Sequence, residues 1–178
     1  WLERINLLWP DLNLSADLTN WQNIFKANNQ TKTQINLGLV GKYSGLTDAY
    51  KSILEAVYHA SLSLAINVNI IYIDAEEIES NGITVLQSID AILIPGGFGD
   101  RGIEGKIWAT KYARENNIPY LGICLGLQIA VIEFARNCAN LTKANSTEFE
   151  PNNQYPVVAL ISEWLYNSGQ IENRDQNS

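Results

Sequence analysis

The segment Gly122-Ile123-Cys124-Leu125-Gly126 sets a cysteine between two glycines, after the apolar run that begins at Ile118 and before the amphipathic run Leu125 to Asn137. A chain that turns sharply from strand to helix at such a point holds its central side chain out of the sheet, as a nucleophile elbow does. The flanking glycines suit a bend where any side chain would crowd its neighbours. The free N–H groups and positive dipole end of the following helix favour thiolate over thiol, so the chemistry on offer is nucleophilic attack by sulfur. A second loop, Pro95-Gly96-Gly97-Phe98-Gly99, follows the apolar run Ala91 to Ile94. Its backbone could supply donors for the oxygen of a tetrahedral intermediate, and we assign that role to the N–H groups of Gly97 and Leu125. Each motif also has a plainer reading, as a structural turn around a buried cysteine and as close packing at a double glycine.

The other reactive side chains fit such chemistry less well. Cys138 shares a helical stripe with Leu127, Val131 and Phe134, so it is expected to serve as a small core hydrophobe. His59 is the only histidine; it falls about 160° from the centre of its helix's apolar face at 100° per residue, so it points to solvent or a partner and is not nominated as the base. One histidine and two distant cysteines do not make a zinc site. If one helix joins Cys124 to Cys138 they lie about 21 Å apart along it, too far for a disulfide.

The elements that must position these groups alternate in the manner of a parallel sheet with crossover helices. Strands are expected at Ile35 to Val40, Val68 to Ile73, Ala91 to Ile94, Ile118 to Ile123 and Tyr155 to Ser162. Helices are expected from a Thr47 cap through Leu64, from Ile103 to Asn116 and from Leu125 to Asn137. The first helix carries Leu46, Tyr50, Ile53, Leu54, Val57, Ala60 and Leu64 on one face. Leu18 to Phe25 has the pattern of a short amphipathic turn, and Asn28 to Thr33 reads as a polar linker. Both glycine loops follow carboxyl ends of strands, where open α/β sheets hold their ligands, so they are expected to converge on one crevice.

The bulk composition limits the partners. The chain has 178 residues, 46% of them hydrophobic and 17% charged, which is globular in kind. A net charge of −7 argues against a nucleic-acid surface. The most apolar stretch, Leu121 to Ala135, is too short and too interrupted to cross a bilayer. Unpaired cysteines and the lack of a basic-then-apolar leader point to a reducing, cytoplasmic setting. The chain opens on Trp1 and contains no methionine, and its polar end from Asn167 to Ser178 carries nothing that would close a domain; a fragment is expected.

Several strings resemble the glutamine amidotransferase domain of the CTP synthase family. They are Gly38-Leu39-Val40-Gly41-Lys42-Tyr43, Asp48-Ala49-Tyr50-Lys51-Ser52, the Pro95 to Gly99 loop with Arg101-Gly102, Ala113 to Tyr120, the Cys124 elbow, Ala144 to Phe149 and Tyr155 to Ile161. The elbow is shared by all triad amidotransferases, whereas Asn145-Ser146-Thr147-Glu148-Phe149 and Arg114 to Tyr120 look specific to the CTP synthases. The resemblance covers about Asn36 to Trp164 and implies an open, mostly parallel sheet with helices on both faces, the flavodoxin-like class I amidotransferase architecture, incomplete at the C-terminus. Residues 1–30 would then be a connector from a synthetase domain, 31–164 a partial amidotransferase domain and 165–178 a polar tail.

The resemblance implies that Cys124 attacks the carboxamide of glutamine and that Gly97 and Leu125 hold the oxyanion. It also implies that Gln128 and Glu148 position the substrate; without it, Glu148 reads as an ordinary loop carboxylate. Ammonia would pass to a synthetase domain that uses ATP and Mg²⁺ to aminate UTP to CTP, in a homo-oligomer that is a tetramer in the family. GTP would act as activator, with Arg101 in the first segment to examine. The family's catalytic histidine and glutamate belong to a downstream His-Pro-Glu motif that this sequence lacks, as it lacks the synthetase domain, so feeble or no glutaminase activity is expected of the chain alone. Leu127 and Asp100 also stand where relatives commonly carry other residues. Two alternatives stay open: a catalytically incomplete binding module with this fold, and a different α/β cysteine hydrolase.

Overall fold

The computed structural model describes residues 5, 7–9, 17–28, 33–42, 47–160, 163–165 and 171–173. The chain divides into two compact units, one made of Trp1–Gln34 with Tyr50–Val68 and the other of Ile35–Ala49 with Asn69–Ser178.

The first unit contains helix α1 (Thr19–Asn28) and helix α2 (Lys51–Leu64), which pack together. A short 3-10 turn over Thr47–Tyr50 precedes α2, whose N-cap is Tyr50 with no side-chain cap bond; the helix therefore starts one turn later than a Thr47 cap predicts. The expected apolar face of α2 is the less exposed side over its first turns, where Tyr50 is buried and Ile53, Leu54 and Val57 are half-buried, but it does not persist: Ala60 is exposed and Leu64 is 67% exposed, and Leu46 lies outside the described residues. His59 is exposed, as its position on the helix predicts, and its ring lies 6.0 Å from that of Tyr58.

The second unit is built on a sheet of strands β1 (Thr33–Gly41), β2 (Ile66–Asp74), β3 (Ala91–Ile94) and β4 (Tyr120–Gly122), in the order β2-β1-β3-β4. β1 pairs with β3 and β3 with β4, both in parallel. The non-consecutive order means that successive strands are joined by crossovers, which makes this an α/β fold. Helices α3 (Ala75–Asn81), α4 (Ile103–Glu115) and α5 (Leu125–Asn137) supply most of the cover, with α4 and α5 packed on β3 and β4 and on each other. The core gathers Val40, Ile73, Ile92 and Ile94 from the strands, a β-branched set suited to strands buried on both faces, and Ile78, Ile107, Ile129 and Ile132 from the helices. Among the described residues no helix is long and apolar enough to cross a membrane.

Several elements lie beyond the sequence reading. Helix α3 starts from Asp74, whose carboxylate accepts the Glu76 N–H at 2.9 Å as an N-cap. β5 (Ala144–Ser146) pairs in parallel with β6 (Tyr155–Val158), so the last expected strand ends four residues early and acquires a partner. In the segment read as a polar tail, β8 (Ile171–Asn173) pairs antiparallel with β7 (Glu163–Leu165).

The stripe of α5 that faces the core is a correction to the sequence reading. Leu127, Val131, Phe134 and Cys138 are exposed, and Leu125, Ile129, Ile132 and Ala135 are buried instead. Both stripes are apolar at helical spacing, so periodicity alone does not choose between them. Packing at Gly126 does: a Cβ there would stand 2.2 Å from the Ile94 carbonyl oxygen, so this face alone can meet the end of β3. Cys138 is thus a surface thiol.

Candidate functional site

The parallel pairing of β1, β3 and β4 brings their carboxyl ends side by side, with Ile94 in register with Gly122. From β4 the chain runs through Ile123, whose N–H donates to the Ile94 carbonyl at 3.0 Å, into Cys124. Cys124 has φ 53° and ψ −105°, outside even the small left-handed helical well open to L-residues. A conformation of this kind costs on the order of 1–3 kcal/mol and persists only where its surroundings enforce it.

The enforcement can be read residue by residue. A Cβ on Gly122 would lie 2.4 Å from the carbonyl carbon of Gly126, and one on Gly126 would strike the end of β3. Only glycines let strand, turn and helix approach so closely. Leu127 and Gln128 donate their N–H groups to the Cys124 carbonyl at 3.0 and 3.2 Å, which starts α5 from the cysteine itself. Tyr120 adds a brace, its hydroxyl donating to the Gly126 carbonyl at 2.6 Å. Burial pushes this phenol up to about 12, so it stays a protonated donor. The outcome is an exposed Cys124 side chain at the N-terminus of a 13-residue helix.

The double-glycine loop lies against this elbow. A Cβ on Gly96 would sit 3.5 Å from the Cβ of Cys124, and one on Gly97 would sit 3.5 Å from Cδ2 of Leu125. Neither the Gly97 N–H nor the Leu125 N–H has an acceptor among the described residues. Cys124, Gly97 and Leu125 therefore belong to one cluster.

Gln128 and Glu148 also come together. Gln128 lies one turn into α5 from Cys124 and, with Ser146, Thr147, Glu148, Val158, Ala159 and Leu160, lines a cleft of about 280 Å³. Glu148 is held twice: its backbone N–H donates to Ser146 Oγ at 3.1 Å, and its Oε1 accepts the Gly99 N–H at 3.3 Å. The second bond ties the cleft to the double-glycine loop.

Arg101 stands apart from this group. At the far end of the loop its guanidinium is forked onto Glu76 of α3, with Nε 3.2 Å from Oε1 and Nη2 on Oε2. That guanidinium holds the Glu76 carboxyl below its ordinary range.

Two lysines that sequence reasoning missed support the loop. Lys42, directly after β1, donates through Nζ to the Phe98 carbonyl, and Lys106 of α4 donates through Nζ to the Arg101 carbonyl at 3.2 Å. Lys106 is buried, and burial, then repulsion from Lys42, lowers its pKa against the pull of Glu79, Asp74 and Glu76. A lysine inside a helix ordinarily reads as solvated. Here α3 crosses α4 so closely at Gly105 that a Cβ would meet the Ala75 carbonyl oxygen at 1.9 Å, and Lys106 is enclosed beside the crossing.

Comparison with known proteins adds two findings. The family model for class-I glutamine amidotransferases matches residues 45–173. The solved glutaminase domain of Trypanosoma brucei CTPS, with bound acivicin, is 40% identical with a TM-score of 0.68; the match covers 71% of this chain and 50% of that one. The chain thus spans about half the length of that relative.

Proposed function

The chain belongs to the class-I glutamine amidotransferase family, whose model spans most of it, and from that footing we propose that it is the glutamine-hydrolysing part of a CTP synthase, with Cys124 as nucleophile. The observation that carries this reading is the exposed cysteine held at positive φ against the Gly96-Gly97 loop. The 40% identity to a CTP synthase glutaminase domain supports the narrower identity.

In the proposed reaction the Cys124 sulfur, as thiolate, bonds to the side-chain carbonyl carbon of glutamine. The carbonyl oxygen takes the negative charge and is met by the N–H groups of Gly97 and Leu125. Collapse breaks the carbon–nitrogen bond, and the nitrogen leaves as ammonia after gaining a proton. Water then attacks the γ-glutamyl thioester, releasing glutamate and restoring the thiol. Gln128 and Glu148 orient the substrate from the adjoining cleft, where a carboxylate suits the α-ammonium group of an amino acid.

The proton shuttle is the weak point of the chain by itself. Its single histidine is exposed His59 on α2, and the family resemblance assigns the base to a His-Pro-Glu motif that the sequence does not contain. Turnover by the isolated chain is therefore expected to be feeble. The ammonia is destined for a synthetase domain that consumes ATP with Mg²⁺ and converts UTP to CTP in the cytoplasm. A tetrameric assembly and activation by GTP, through the segment around Arg101, complete the proposal.

An electrophilic glutamine analogue tests it without requiring turnover. It should alkylate Cys124 and spare Cys138, and free glutamine should protect. Labelling that glutamine does not slow would favour a different cysteine hydrolase on the same fold.

A further inference from the structure

Lys42 and Glu148 are attached to opposite edges of one peptide plane. The Phe98–Gly99 peptide presents its carbonyl to Lys42 Nζ, while its N–H donates to Glu148 Oε1 at 3.3 Å. In a planar trans peptide the C=O and N–H point in opposite directions, so fixing one direction fixes the other. Gly99 has φ 78°, a left-handed conformation that frees the backbone to present this plane edge-on to both side chains. A Cβ at Gly99 would lie 3.6 Å from Lys42 Nζ, a second sign that the ammonium sits on this peptide.

We infer that Lys42 is a positioning residue: its ammonium sets the Phe98–Gly99 peptide so that the Gly99 N–H holds the Glu148 carboxylate at the rim of the glutamine cleft. The inference rests on the glutamine reading of that cleft. A cationic donor on the carbonyl makes a charge-assisted bond and polarises the peptide, which strengthens its N–H as a donor to the carboxylate beyond. Topology makes the link direct. β1, which delivers Lys42, pairs with β3, which delivers the loop, and β3 pairs with β4, which delivers Cys124. Three neighbouring strand ends thus contribute the positioning cation, the oxyanion loop and the nucleophile. Lys106, on the Arg101 carbonyl at 3.2 Å, anchors the other end of the loop in the same way, which leaves the span between them little freedom to turn its carbonyls toward the cleft.

The test compares wild type, Lys42→Met, Glu148→Gln and the double variant in the full chain, with two readouts. In the first, the amide proton resonance of Gly99 is followed by NMR. Lys42→Met and Glu148→Gln should each move it upfield, and the double variant should move it less than the sum of the two. In the second, labelling of Cys124 by an electrophilic glutamine analogue is resolved into a half-saturation concentration and a maximal rate. Lys42→Met should raise the half-saturation concentration about tenfold, which is about 1.4 kcal/mol, and leave the maximal rate and the iodoacetamide reaction of Cys124 nearly unchanged. Lys42→Arg, which keeps a cationic donor, should recover part of the loss. A Gly99 resonance unmoved by Lys42→Met overturns the inference. So does an effect on half-saturation that adds in full to that of Glu148→Gln, or an equal slowing of both reagents. Failure of the glutamine reading looks different: the wild type itself then ignores the analogue while the Gly99 resonance still responds to Lys42.

Discussion

The hydroxyl of Tyr120 reaches across the elbow to the carbonyl of Gly126, 2.6 Å away, linking the last strand before Cys124 to the first turn of the helix after it. A positive-φ cysteine needs its two flanks held at a fixed distance, and this bond spans them. Tyr120→Phe keeps the ring and removes the bond, so it should lower stability by about 1 kcal/mol, measured by urea unfolding.

The same phenol gives the fold a signature in alkali. Its pKa rises from 10.0 to about 12, chiefly through burial. The folded state keeps the proton where the unfolded chain has lost it, so the contribution is complete below pH 10 and is lost as the pH rises through about 12. Unfolding free energy of the wild type should fall across that window by on the order of 2 kcal/mol. Tyr120→Phe should fall less, and equal slopes for the two proteins would contradict the assignment.

Glycines of the two loops should differ sharply in tolerance. Gly126→Ala drives a Cβ to 2.2 Å from the Ile94 carbonyl oxygen and should cost about 3 kcal/mol or more, or prevent folding. Gly97→Ala meets only Leu125 Cδ2 at 3.5 Å, an ordinary contact, and should stay within about 1 kcal/mol of wild type. Urea unfolding of the two variants is the check.

Away from the site, Arg114 forks onto Glu133, with Nη2 2.8 Å from Oε1, and the Glu133 side chain is only 2% exposed. Arg114→Met strands that buried carboxylate and should cost about 3 kcal/mol, discounted somewhat because Arg114 itself reaches solvent. Adding Glu133→Leu should recover most of the loss in thermal unfolding, since a pair of apolar groups leaves no unpaired charge.

How much of this was legible in the sequence depended on whether a feature is local. β3 and α5 have the bounds that their apolar runs predict, because punctuation by Gly, Pro and polar residues marks both ends. The elbow and its glycines were legible for the same reason. The buried face of α5 was not, since Leu127 to Cys138 and Leu125 to Ile132 carry equally good stripes and only the approach of Gly126 to Ile94 decides between them. Helix α3 had a signal that went unused, an Asp before two glutamates in the first turn. Lys42 stands in the Gly38 to Tyr43 string that carries the resemblance, yet neither its role nor that of Lys106 was legible, because their partners are backbone carbonyls 56 and 5 residues away that no side-chain pattern encodes.

Glutamine hydrolysis as proposed requires the Cys124 thiol to meet a glutamine carboxamide held between the double-glycine loop and the Gln128–Glu148 cleft. The most direct measurement is a crystal structure of the chain after reaction with an electrophilic glutamine analogue. We predict a covalent bond to Cys124 Sγ, with the amino-acid end of the adduct lying between Gln128 and Glu148 and Cys138 unmodified. Modification of Cys138 in preference to Cys124, or an adduct whose amino-acid end lies outside that cleft, would rule out this placement of the glutamine substrate.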